Sequence, residues 1–175
     1  MCAWQRKRDF SKGRPTPSEA LRKLERYCAY QDRCHQEVRR KLYDIGMYGD
    51  DVDQVMATLI ETRFLDEERF ARSFARGKFK IKRWGRVRIE RELKQRQIGR
   101  YCVRAGLSEL DELDYRGALA ELLRKRYERQ AGDLHPYARR QDLIQHALRK
   151  GYETALAVEV ARELADAPRA KRRAG

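Results

Sequence analysis

Apolar residues recur along this chain at intervals of three, four and seven, with charged residues filling the gaps, from about residue 16 almost to the end. That spacing lays one apolar stripe on each of a series of amphipathic helices. The first opens at Thr16-Pro17-Ser18-Glu19. Thr stands at the cap, Pro at the first helical position and Glu at the third, a capping box with its first φ already set. Leu21, Leu24 and Cys28 make the apolar face. A second helix, about residues 34–45, carries Val38 and Leu42 and stops at Gly46, which suits a left-handed ending. A third, about 51–62, shows Val52, Val55 and Leu59.

Leu65-Asp66-Glu67-Glu68 starts a fourth helix, with Asp66 as cap and two acids at the positive end of its dipole. Phe70, Ala71, Phe74 and Ala75 form its core face, with Phe79 also predicted to be buried. The fifth spans about 85–97 and the sixth about 99–107. Three more follow at about 114–130, 136–150 and 153–165. Four prolines in all and almost no alternating β-branched runs make this an all-α chain.

The middle helices share one frame. Val38, Leu42 and Met47 line up with Ile89, Leu93 and Ile98, 51 residues on, and these with Leu143, Ala147 and Tyr152, a further 54 residues on. Gly46, Gln97 and Gly151 fill the same slot before the last apolar residue. A period near fifty with three helices in each predicts three tandem three-helix modules, at 16–63, 64–110 and 111–166, forming an elongated, curved array. Residues 1–15 and 167–175 read as a disordered basic arm and a basic tail.

Charge sharpens the picture. Of a formal +14, a net +9 falls between Arg76 and Arg100, where eleven Lys/Arg face two Glu. Positive charge gathered on one folded segment is the footprint of a polyanion partner, most often nucleic acid. The candidate contacts are Lys78, Lys80, Lys82, Arg83, Arg86, Arg88, Arg91 and Lys94. Trp84 joins them as a stacking platform or, in the reading favoured here, as packing at a helix junction. Lys82, Arg83 and Arg86 lie outside the predicted apolar faces, so reversing all three should leave the helices intact. Arg39, Arg40 and Lys41 in the first module, and Arg139, Arg140 and Arg149 in the third, are exposed by periodicity, facing either the partner or solvent, and together would present a spaced ladder of positive charge.

Other classes lose ground. No apolar run approaches the roughly 18 residues a membrane span needs. The amino-terminal Met1-Cys-Ala-Trp-Gln-Arg-Lys-Arg has charge without a following apolar stretch, which points to a cytoplasmic protein. Cys2, Cys28, Cys34 and Cys102 lack a paired zinc spacing and read as buried or idle thiols, with no metal and no cofactor. No phosphate loop or nucleophile signature marks an enzyme.

Glu37-Val-Arg-Arg-Lys-Leu42, Phe64-Leu-Asp-Glu-Glu-Arg-Phe-Ala71, Trp84-Gly-Arg-Val-Arg-Ile-Glu-Arg-Glu-Leu93 and Arg149-Lys-Gly-Tyr152, in this order, resemble the RecX family of recombination regulators. The resemblance covers about residues 18–165. It implies a non-enzymatic protein of three tandem three-helix units. Such a protein binds the RecA–DNA filament, lies along its helical groove and suppresses recombinase ATPase and strand exchange. Weak, sequence-blind binding to single- and double-stranded DNA would accompany this, and a monomer is the simplest assembly. Two positions depart from the family pattern. Gln97 stands where Gly usually ends the helix, and Cys34 stands where a small polar residue starts one, leaving Asp32 as the alternative cap. The competing reading is a sequence-nonspecific or helix-turn-helix DNA-binding protein acting without the recombinase. Its recognition candidate, residues 86–97, offers mostly Arg, Lys and Glu, which suit phosphates better than base edges.

Overall fold

A computed structural model describes residues 15–129 and 135–166. The amino-terminal arm up to residue 14, Cys2 within it, and the tail from 167 lie outside the described residues. Among those described are nine helices and no strand. They are α1 (Pro17–Tyr30), α2 (His35–Asp44), α3 (Asp50–Glu61), α4 (Glu67–Lys82), α5 (Arg86–Gln95), α6 (Arg100–Leu107), α7 (Glu112–Arg129), α8 (Pro136–Lys150) and α9 (Thr154–Asp166). None is long and apolar enough to cross a membrane. The helices fall into two compact units, one ending at Glu67 and the other beginning at Glu68.

In the first unit α1 and α2 both pack on α3. The capping box at α1 forms as expected: Glu19 N–H donates to the Thr16 hydroxyl at 3.3 Å, and Thr16 N–H donates to the Glu19 carboxylate at 2.9 Å. These bonds hold the Glu19 carboxyl below its ordinary range. The buried face of α1 is Ala20, Leu24 and Cys28, whereas Leu21 is half-buried at its edge. A helix packed face-on buries an i, i+4, i+8 row, and Ala20 starts that row where Leu21 does not. Val52, Val55, Met56 and Leu59 of α3 complete the core with Val38, Leu42, Met47 and Leu65. Cys34, not Asp32, caps α2, and the Glu37 carboxylate accepts its N–H at 3.3 Å. A missing polar cap is thus offset from inside the first turn. Cys28 and Cys34 are buried and Cys102 is half-buried.

The second unit holds α4–α6 and α7–α9. Gly106 on α6 lies directly on α4, where an added Cβ would come 2.8 Å from the Ala71 carbonyl oxygen. Phe70 and Phe79 are buried, but Phe74 is only half-buried. Its ring instead lies beneath Lys78 and Arg96, each 5.0 Å from its centroid. Two neighbouring cations shield this ring on the outer side of the helix.

The sequence repeat has a physical cause. At the end of α2, Met47 N–H donates to the Leu42 carbonyl and Gly46 N–H to that of Tyr43. At α5, Ile98 donates to Leu93 and Gln97 to Lys94; at α8, Tyr152 donates to Ala147 and Gly151 to Leu148. Each pair is a Schellman motif, in which the apolar residue just after the left-handed one packs back on the residue that accepts its N–H. The repeated apolar frame therefore encodes one helix ending used three times. Its turn residue is left-handed in every copy, with φ of 91° at Gly46, 60° at Gln97 and 87° at Gly151.

Gln97 holds this conformation with a side chain attached, which costs about 1 kcal/mol. Gln97→Gly should relieve that strain and raise the urea midpoint, while Gly46→Ala, at a site with open space around it, should lower stability by about as much.

Candidate polyanion-binding surface

The basic stretch is not one helix. α4 carries Lys78, Lys80 and Lys82 on its last two turns, Arg83 turns left-handed with φ 53°, and α5 begins after Trp84 and Gly85. This break divides the predicted contacts into two sets with different surroundings.

Lys80, Lys82 and Arg91 are exposed and have no ion-pair partner among the described residues. Arg83 is also exposed, with Glu121 3.7 Å away. Lys94 pairs with Glu90 at 2.6 Å on the same helix. Ile81 stands among these cations, 76% exposed. On the outer side of α5 a shallow hollow is lined by Val87, Glu90, Arg91, Lys94 and Gln95.

The second set faces inward. Arg88 and Lys78 both lie over Trp84, at 4.1 and 5.2 Å from its rings, and Arg88 also reaches the Arg149 carbonyl. Trp84 is half-buried between them, as the junction reading expects. Arg86 is 22% exposed. Its guanidinium lies 4.2 Å from the Tyr115 ring, donates to the Leu110 carbonyl at 3.0 Å, and pairs with Glu112 at 2.9 Å. It also stands 3.8 Å from Glu153. Periodicity put Arg86 outside the apolar face of α5, and so it is; the surface it meets belongs to α7 and the start of α9.

What holds α5 to that surface is backbone. The first N–H groups of any helix lack partners inside it, and so do the last carbonyls. Here Gly85 N–H donates to the Lys150 carbonyl at 2.9 Å and Val87 N–H to that of Gly151 at 3.0 Å. Between them Arg86 N–H donates to the Tyr115 hydroxyl at 2.9 Å. The orphan donors of α5 thus meet the orphan acceptors of α8, positive helix end to negative. The amino end of the basic helix is consequently closed to a phosphate. A Cβ on Gly85 would collide with the Gly151 carbonyl, and one on Gly151 with Arg88. Behind this seam the rings of Phe79, Tyr115 and Tyr152 pack in series, tilted by 36° at each step, at 5.7 and 4.9 Å between centroids. Tyr115 donates its hydroxyl to Glu153 at 2.7 Å. Burial pushes both hydroxyls up, that of Tyr152 to about 12.

Outside the central stretch the predicted contacts thin out. Arg39 pairs with Asp53 at 2.9 Å, while Arg40 is exposed. Arg139, expected to be exposed, is buried at 8% with its guanidinium 5.0 Å from the Tyr127 ring, and Arg140 is half-buried. α8 is covered on both sides by α7 and α9, so its amino-terminal turns have less free circumference than periodicity assigns. The charge agrees. Residues 16–67 carry eight Lys/Arg against eleven Asp/Glu, and residues 101–166 eleven against twelve. Between residues 16 and 166 the ladder of charge reduces to one positive zone between two near-neutral or acidic stretches. Sequence reasoning missed Tyr115, Glu153 and Glu109, the last clamping Arg72 and Arg76 at 2.5 and 2.6 Å. The usable signal was Gly85, a helix cap with no side chain.

Comparison with known proteins follows the same lines. Residues 20–59 match the family model described as the first three-helix domain of RecX, and residues 66–107 match the second. Regulatory protein RecX of Salmonella paratyphi A is 31% identical over 133 residues, covering 70% of this chain and 76% of the relative. Regulatory protein RecX of Salmonella typhimurium is 28% identical over 165 residues, covering 87% and 96%. The crystal structure of RecX from Lactobacillus salivarius superposes with a TM-score of 0.73 at 20% identity, over 85% of this chain and 96% of that one. A second crystal structure of regulatory protein RecX also gives 0.73, at 21% identity and 85% and 72% coverage. At that identity the structures speak for the fold.

Proposed function

Because the chain belongs to the RecX family of regulatory proteins, we propose that it is a negative regulator of homologous recombination. In this reading it binds the RecA–DNA filament in its helical groove and inhibits ATP hydrolysis and strand exchange. It does so by occupancy, without chemistry of its own. Lys80, Lys82, Arg83 and Arg91 reach acidic protein surface and the DNA phosphates beneath it, aided by Lys94 and, in the first unit, Arg40.

The observation that supports this most is the isolation of the charge. The +9 between Arg76 and Arg100 is what remains after Glu90 and Glu92 are counted. Acids from outside the stretch pair with Arg76, Arg83 and Arg86, but Lys80, Lys82 and Arg91 stand unpaired among the described residues. Clustered cations repel one another unless a polyanion or an acidic groove takes them up. Arg86, Arg88 and Arg139 are left out of this contact set, because their guanidinium groups already serve the interior of the second unit.

Single-stranded-DNA-dependent ATP hydrolysis by the cognate recombinase, titrated with this protein, tests the reading. Inhibition is expected well below one protein per recombinase subunit. Reversing Lys80, Lys82 and Arg91 to Glu should raise the half-inhibitory concentration at least tenfold with helical content unchanged. Inhibition that survives the triple reversal removes the patch from the contact. Inhibition only at amounts that coat the DNA would make the protein a competitor for DNA, acting without the recombinase.

A further inference from the structure

We propose that the outward face of α6 binds single-stranded nucleic acid, Tyr101 stacking on an unpaired base while Arg100 and Arg104 hold the phosphates beside it. This deepens the reading of a filament on DNA, but it concerns direct binding that needs no recombinase.

α3, α6 and α9 hold the same place in three successive helix triplets, so the chain contains its own controls for what that place needs in order to fold. α3 opens with Asp50 and Asp51, and the exposed side of α9 carries Glu159 and Glu163, both paired with Arg116 of α7. α6 reads Arg-Tyr-Cys-Val-Arg-Ala-Gly-Leu and contains no acid. A cation in the first turn opposes the helix dipole, so folding gives no reason for Arg100.

Geometry gathers these residues on one side. Arg100 and Arg104 are four apart and share a row, with Tyr101 next to it. Val103 and Gly106 face the opposite way into the core. Arg100 and Arg104 are exposed and Tyr101 is 64% exposed. Neither arginine has an acidic partner among the described residues, and Glu109, two residues beyond the helix, is held by Arg72 and Arg76. What remains is an aromatic ring in water beside two unneutralised guanidinium groups, at the carboxyl end of the basic stretch between Arg76 and Arg100. Sites for single strands are made this way: cations follow the backbone and an aromatic ring covers the face of a base. A duplex keeps its base faces stacked, so the ring selects the single strand.

Fluorescence anisotropy with a labelled oligothymidylate of about 20 nucleotides tests this, beside an abasic strand and a duplex of the same length. The intact protein should favour the base-bearing strand. Tyr101→Ala should weaken that binding about tenfold and erase the preference over the abasic strand, whereas Tyr101→Phe should retain both. Changing Arg100 and Arg104 to Ala should reduce the salt slope by about 1.4, for two single-strand phosphates. Unchanged affinity in Tyr101→Ala, or equal affinity of the intact protein for the abasic strand, overturns the proposal. So does tighter duplex binding that is indifferent to Tyr101. Circular dichroism guards against misfolding, to which these exposed positions should be indifferent. The ATPase titration is a separate readout, so either reading can fail while the other stands.

Discussion

An alanine at Gly85 lowers the stability of the second unit by on the order of 4 kcal/mol, although it adds one methyl group at the end of a helix. The carbon would fall on the Gly151 carbonyl and the Tyr152 amide, so what must move is backbone on both sides. To make room, α5 would have to back away from α8 and give up the bonds from Gly85 to Lys150 and from Val87 to Gly151. Gly151→Ala meets the same wall from the other side, 2.7 Å from the Arg88 nitrogen, and adds left-handed strain at φ 87°. Thermal unfolding followed by circular dichroism should register either change as a loss of roughly 15 °C or more. Gly46→Ala, with the same backbone sign and nothing around it, should lose only a few degrees. Equal losses at Gly46 and Gly151 would mean that the seam contributes nothing beyond the turn.

Arg86→Glu has the second largest expected effect, a loss of about 3 kcal/mol in urea unfolding. It removes the cation from the Tyr115 ring and the donor from the Leu110 carbonyl, and sets a carboxylate against Glu112 and Glu153. Lys82→Glu, four residues earlier in the same basic run, should stay within about 0.5 kcal/mol because its side chain is exposed and has no ion pair among the described residues. A reversal that combined Lys82, Arg83 and Arg86 would therefore mix lost folding with lost binding. The reversals at Lys80, Lys82 and Arg91 avoid this. If Arg86→Glu unfolds at the same urea concentration as Lys82→Glu, the contacts around the guanidinium carry no stability.

The helices were legible because each announces itself locally. Thr16-Pro17 with Glu19 fixes a start, Gly46 and Gly151 fix ends, and rows such as Val52, Val55 and Leu59 fix a buried side. The repeat was legible for the same reason, since it records a turn. Arg86 and Arg139 were misjudged because periodicity reports the side turned away from a helix's own core stripe. It is silent on whether another helix covers that side, and α7 covers both. The same blindness hid Tyr115 and Glu153, whose partners lie 29 and 38 residues away. Within the candidate surface, the sum of charge was readable. Which cations had already been claimed by Trp84, Tyr115 and the acids of α7 was not.

A chain of repeats invites the thought that its units could be exchanged or multiplied. The meeting of α5 and α8 sets a limit on that. At the place where the second triplet has Gly85, the first has Cys34, whose side chain is wholly buried. A copy of the first triplet in the second position would bring a side chain to the point where the third triplet's carbonyl must sit. The three triplets turn alike, yet only the second leaves this position bare, so its place before the third is written in the side chain that Gly85 lacks.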